Sequence, residues 1–265
     1  MKAACRAAIV SFLVLLAPDM NLRADEIPAD GALEQTVVER VRLYRQRYGL
    51  GNTLEKRVDN RGNGAEELYG TRNVRAVIPG VLYRGGANNA YHRTQARSNR
   101  NPLPDDGLLN LCREGFETTI YLYPTNFDRA QPSVRCVQRQ GQEGGKPNVN
   151  KYVQLSPFDE RQHKMALELV YDTLTNRSKG PVYAHCWNGW HASGYMAATA
   201  LMQFCGISPD AAVAYWNAGT DGNHTSSHYE RTREAIRSFH PYPEYEIPEE
   251  LQQDVCPSQD GSFLP

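Results

Sequence analysis

The chain has almost no excess of either charge. Twenty-nine Lys and Arg residues stand against 30 Asp and Glu, for a formal charge of −1 at pH 7. That balance excludes a general nucleic-acid binder, which needs surplus cations to face phosphates. The charge is uneven: residues 40–100 are rich in arginine and residues 244–254 in acid. An arginine-rich face either serves an anionic ligand or is simply a solvated surface. Internal repeats and low-complexity tracts are also lacking, which excludes a stacked-repeat architecture.

Long apolar runs are nearly absent. Residues 7–17 (AAIVSFLVLLA) follow Lys2 and Arg6 and precede Leu22-Arg23-Ala24. Charge, length and position make residues 1–24 an expected export signal, and the protein an expected periplasmic or secreted one. Eleven apolar residues do not span a bilayer; the competing reading is a buried or uncleaved N-terminal helix. No other segment has the length and apolarity of a membrane span. Removing 24 of 265 residues leaves 241, enough for one full-sized core or a core with an extension.

What is present alternates. Residues 33–48 carry helical apolar spacing, and five glycines from Gly49 to Gly70 punctuate a polar stretch. Residues 25–73 are therefore expected to form an N-terminal helical extension. Beyond them, residues 81–84, 118–123, 151–155 and 181–185 are strand candidates rich in β-branched and aromatic side chains. Residues 108–114, 160–175, 192–205, a segment opened by Ser208-Pro209-Asp210, and 226–239 read as helices. Gly115 and Gly206 are their stops, and Ser208 is an N-cap. The alternation predicts an α/β domain: a central, mostly parallel sheet flanked by helices.

Chemistry concentrates in residues 182–198, VYAHCWNGWHASGYMAA. A strand candidate ends at His185-Cys186, and the loop from Cys186 to Ala192 opens a helix. Backbone N–H groups of such a loop converge on one point, and the helix N-terminus adds a positive field. A cysteine there is expected to sit as a thiolate. Gly189 permits a tight turn and Gly194 a close-packed helix. Of six cysteines, Cys5 lies in the expected signal and Cys186 is the expected free thiol. Cys112, Cys136, Cys205 and Cys256 can pair in three ways; Cys112–Cys136 with Cys205–Cys256 is preferred, the alternative being buried apolar thiols.

The segment HCWNGWHAS resembles the signature loop of the cysteine-dependent protein tyrosine and dual-specificity phosphatases: His-Cys, five residues, Arg, then Ser or Thr. It agrees at His185, Cys186, Gly189 and Ser193, and departs at Ala192, where the family has its arginine. GVLYRGGANN resembles the strand that opens their catalytic domain, and DGLLNLCREGFETTIYLYP their helix–Gly–strand unit. QLSPFDERQ resembles their mobile general-acid loop, with Asp159 27 residues before Cys186 (186 − 159), and GISPDAAVAYWNA the helix after the signature helix. The resemblance spans residues 74–217. It implies a dual-specificity-phosphatase-like domain over 74–240, a tail over 241–265, and no required cofactor. It further implies Cys186 as nucleophile, Asp159 as the acid protonating the leaving group, Ser193 assisting thiolate departure, and His185 holding the loop. Read from the residues alone, Asp159 is equally an N-cap of the following helix, with Gln162 completing a capping box.

Alanine at 192 changes the expected chemistry. A guanidinium grips two phosphoryl oxygens at once and keeps its charge; losing such a clamp costs about 3–5 kcal/mol, on the order of 10²–10⁴ in rate. Arg84 on its strand, Arg93, Arg97 and Arg100 on the next loop, and His191 at mildly acidic pH are the candidate stand-ins. Trp187 and Trp190, on either side of Asn188 and Gly189, are two of three tryptophans in the chain. They either line a site for an organic ligand or pack outward. The expected function is an exported, repurposed or pseudo-phosphatase whose cradle takes an anionic or aromatic small molecule or a phosphorylated ligand. The alternatives are an active atypical phosphatase using Arg84 or His191, and a transition-metal or redox site on Cys186 and His191 with His224 and His228.

Overall fold

The computed structural model describes residues 36–139, 145–178 and 180–257; the expected export signal lies outside them. Helix α1 (Val37–Tyr48) begins at a capping box between Thr36 and Glu39 and stops at Gly49, whose φ of 61° is left-handed. It belongs to the core. Val37 and Val41 are buried, and the Arg40 side chain, 1% exposed, donates to Gly80 O at 2.8 Å and Thr173 O at 2.6 Å.

A six-stranded sheet follows. Strands β1 (Thr71–Ile78) and β2 (Leu82–Ala87) are an antiparallel pair at one edge. Strands β3 (Thr118–Tyr121), β4 (Ser133–Val137), β5 (Pro147–Gln154) and β6 (Val182–Cys186) complete the order β1-β2-β6-β3-β5-β4. The pairs β2–β6, β6–β3 and β3–β5 are parallel, and β4 pairs antiparallel with β5. The sheet is thus mixed: a parallel centre between antiparallel edges. All five residues of β6 are buried, as befits a central strand covered on both faces.

Side chains alternate across the sheet. Leu82, Ile120, Val182 and Ala184 join an aliphatic core with α3 (Glu160–Leu174), α4 (Ala192–Cys205), α5 (Pro209–Ala218) and α6 (Glu230–Arg237). Tyr83, Tyr121 and Tyr183 point the other way into an aromatic core with Tyr44, Tyr48, Phe116 and α2 (Asp105–Arg113). Every residue of α4 is buried. In register, Gly85 and Tyr121 flank His185, so β2, β3 and β6 end together beneath α4. Ligand sites of open α/β sheets lie at such strand ends.

Several elements differ from the expectation. Strand β1 starts at Thr71, and its Arg72, Asn73 and Arg75 are buried polar residues that hide the strand pattern. The last expected helix is shorter, a 3-10 turn at Ser227–Tyr229 followed by α6. Beyond residue 240, α7 (Glu249–Val255) packs on α1, and Cys256 is bonded to Cys205 at the end of α4. Cys112 is bonded to Cys136, joining α2 to β4, and Cys186 is free.

His163 links α3 to α4. Thr199 Oγ1 donates to Tyr195 O, so it accepts from His163 Nε2 at 2.8 Å. Burial pushes the His163 pKa from 6.5 down to about 4. The unfolded chain therefore takes up a proton near pH 6.5 that the native state refuses until about pH 4, so stability is lost as pH falls through that window. Urea denaturation of a His163→Gln variant, which keeps a donor but does not titrate, is expected to lose about 2 kcal/mol less than the parent between pH 7 and pH 5. Equal pH dependence in the two proteins would contradict this.

Candidate functional site

Cys186 ends β6 and opens the loop to α4. It is 2% exposed; its Sγ accepts the Gly189 N–H at 3.2 Å and lies 3.4 Å from Ser193 Oγ. Gly189 has φ 81°, and a Cβ there would come within 2.6 Å of the Gly85 backbone. The loop carbonyls bond outward to the scaffold. Trp187 O accepts from Ala87 N at 3.1 Å, and Asn188 O from Asn73 Nδ2 at 2.7 Å. Gly189 O and Trp190 O accept from Arg84 Nη1 at 3.0 and 3.4 Å, and His191 O from Trp216 Nε1 at 3.1 Å. In a trans peptide the N–H points opposite its C=O. Of the amides that follow these carbonyls, that of Gly189 reaches the Cys186 thiol, and a loop of this kind at a helix N-terminus can hold an anion.

His185 lies beneath, fully buried. Its Nδ1 meets Cys186 O at 3.1 Å and therefore carries the proton; its Nε2 accepts from Tyr152 OH at 2.7 Å. Burial pushes its pKa down to about 3, so it is a neutral brace between Tyr121 and Tyr183.

Neither expected stand-in cation serves the loop mouth. Arg84 is 0% exposed. Its Nε donates to Tyr215 OH at 3.0 Å, its Nη1 to the two loop carbonyls, and its Nη2 to Gly219 O at 3.0 Å. All three nitrogens are engaged behind the loop. His191 Nε2 donates to Asn223 O at 2.6 Å, and its ring stacks on Tyr229 with centroids 4.1 Å apart. Burial, with His228 and His224 nearby, lowers its pKa despite the Asn223 bond. Arg93 pairs with Glu66 and Arg97 with Asn89 and Pro102, while Arg100 lies 5.8 Å over the Trp187 ring.

The position of the family's arginine is closed. Ala192 is 0% exposed and joins the aliphatic core. Ser193 is likewise buried beside the thiol, and Gly194 lets Arg84 approach α4, since a Cβ there would be 3.1 Å from Nη1. Asp159 is exposed and caps α3, accepting Gln162 N–H at 2.9 Å; its neighbour Phe158 faces the cavity. Among the described residues no group of three His, Cys, Asp or Glu converges. His224 Nδ1 is held by Thr220 Oγ1 at 2.9 Å, and His228 lines the cavity apart from it.

Above Cys186 is a cavity of about 660 Å³, walled by Tyr123, Phe158, Trp187, Trp190, His191 and Tyr229 among others. Its tryptophans are fixed by their N–H groups: Trp187 Nε1 donates to Tyr121 OH at 2.9 Å and Trp190 Nε1 to Asp221 Oδ2 at 3.0 Å. Asp221, which anchors Trp190, is a residue that sequence reasoning missed. Burial raises its pKa, but Lys56 at 2.6 Å, Arg75 at 2.7 Å and the indole N–H outweigh burial and hold it below the ordinary value. Asn73, also missed, reaches the loop from β1 with a left-handed φ of 50°. The TDGN turn signalled the bend at Asp221; nothing local signalled either long-range partner.

The described chain is thus an α/β domain with a mixed sheet whose central strand ends in a cysteine, followed by a short loop and a buried helix. No family model and no curated protein sequence matches the chain. Solved structures do resemble it. P. aeruginosa TpbA is 17% identical, covering 63% of this chain and 85% of its own, with a TM-score of 0.38. The human tyrosine phosphatase-like serine/threonine/tyrosine-interacting protein is 16% identical (62% and 95% covered, TM-score 0.40). Tk-PTP is 14% identical (63% and 98% covered, TM-score 0.39). Identity and superposition are both low; the α/β architecture stands on this chain's own strand order and loop.

Arg84→Lys is expected to destabilise the protein by about 2–3 kcal/mol, because one ammonium cannot span four acceptors set for a fork. Thermal melting should fall by roughly 5–10 °C. A melting point within about 1 °C of the parent would show that the fork does not hold the loop.

Proposed function

We propose that the chain is a repurposed phosphatase fold that binds an anionic, phosphorylated ligand over Cys186 and does not turn over phosphate monoesters at an enzymic rate. The observation that carries this reading is the outward anchoring of every loop carbonyl from Trp187 to His191. It keeps an amide nest around the thiol, while Ala192 removes the clamp and Arg84 is engaged elsewhere. Backbone donors and the α4 N-terminus suffice to hold an anion. They do not neutralise the equatorial charge of a transferring phosphoryl group as a guanidinium does. Asp159 Oδ1 is engaged as the cap of α3. Export is part of the proposal, supported by the two disulfides; among the described residues no helix is long and apolar enough to cross a membrane.

An aryl-phosphate assay tests the reading. Turnover is expected at least about 10²-fold below the common enzymic range of roughly 1–10³ s⁻¹. Turnover within that range that is lost in Cys186→Ser would refute it. Ala192→Arg separates a closed position from an empty one. The methyl is packed in the core, so the substitution is expected to destabilise the protein by about 1–3 kcal/mol, read by chemical denaturation. An unchanged stability with a gain in Cys186-dependent hydrolysis would mean the clamp site is still open.

A further inference from the structure

The cavity over Cys186 is lined by aromatic rings, hydroxyls, the amides of Asn188 and Asn223 and the imidazoles of His191 and His228. Among the described residues no Lys, Arg, Asp or Glu lines it. Trp187 and Trp190 line it with their N–H groups bonded to Tyr121 and Asp221, and the Trp187 ring packs on Tyr123 at 4.4 Å with Arg100 5.8 Å over it. Around those rings, the hydroxyls of Tyr123, Thr225, Tyr229 and Thr232 have no hydrogen-bond partner among the described residues. Flat apolar platforms ringed by neutral, unengaged hydroxyls suit a ligand that is itself two-sided: a ring with C–H faces and hydroxyl edges. An aryl ring would stack on the platforms but would bring nothing to the hydroxyls. A polyphosphorylated ligand would bring charge for which the walls hold no cation, leaving the amide nest as the one anion subsite.

Building on the cradle reading above, we infer that the ligand is a sugar carrying a single phosphate, with the phosphate in the nest over Cys186 and the sugar ring between Trp187 and Trp190. The Thr225 and Thr232 hydroxyls, from the loop before α6 and from α6 itself, read the ring hydroxyls. They select a sugar over an aryl group.

The test is a titration of the full chain, followed by intrinsic tryptophan fluorescence. The probes are inorganic phosphate, phenyl phosphate, glucose 1-phosphate, and the 6-phosphates of glucose, mannose and galactose. At least one hexose phosphate is expected to bind roughly tenfold or more tighter than both inorganic phosphate and phenyl phosphate. The Thr225→Val/Thr232→Val double variant is expected to lose that advantage while its affinity for inorganic phosphate stays within about twofold of the parent. Phenyl phosphate equalling the best hexose phosphate overturns the sugar assignment and leaves the cradle standing. Hexose phosphates no better than inorganic phosphate, or a double variant with the full advantage, do the same. If none of the phosphates binds, the cradle reading fails and the sugar assignment with it.

Discussion

Arg84 takes four acceptors into one guanidinium: Tyr215 OH and the carbonyls of Gly189, Trp190 and Gly219. A buried cation requires such a set of partners. Two of the acceptors are consecutive carbonyls of the loop that follows Cys186, so Arg84 fixes the orientation of the Gly189 and Trp190 peptide planes. The same residue fixes the loop after α5 through Gly219, and from that loop Asp221 fixes Trp190. One buried cation from β2 thus organises the floor and, through Gly219, one wall of the cavity. Replacing any single loop residue changes a part; replacing Arg84 changes the frame.

That frame separates two tasks which an arginine in the loop would combine. Binding an anion needs convergent donors, and the nest supplies them from the backbone. Transferring a phosphoryl group also needs a mobile-free, permanent charge at the equatorial oxygens. Burial pushes the His185 pKa down to about 3 and lowers that of His191, and Arg84 points behind the loop. Ala192 is packed beneath the loop. Aromatic rings, hydroxyls, amides and imidazoles make up the walls of the cavity.

Much of this was legible in the sequence where a local pattern was strong. The buried strand ending at Cys186, the helix from Ala192 and the Ser208 cap follow from short-range rules, and the structure places them close to the expected residues. The α/β architecture followed from alternation, with four of the six strands legible and the antiparallel edge strands β1 and β4 not. Strand β1 was obscured by Arg72, Asn73 and Arg75, polar residues that tertiary partners satisfy. Helix α7 carries little apolar pattern, and the bond from Cys256 to Cys205 ties down its end. The direction of Arg84 was illegible for a different reason. Its strand position brings it to the site, but only the carbonyls of a distant loop decide whether its charge faces a ligand or the backbone. Asp221 and Trp190, 31 residues apart, illustrate the same limit.

The most direct measurement is an amide NMR titration of the full chain with tungstate, an oxyanion that mimics phosphate without being hydrolysed. The account predicts saturable shifts of the backbone amides from Asn188 to Ser193, with those of Arg93, Arg97 and Arg100 unmoved. Shifts confined to that arginine-bearing loop, or none among residues 188–193, would contradict an amide cradle over Cys186.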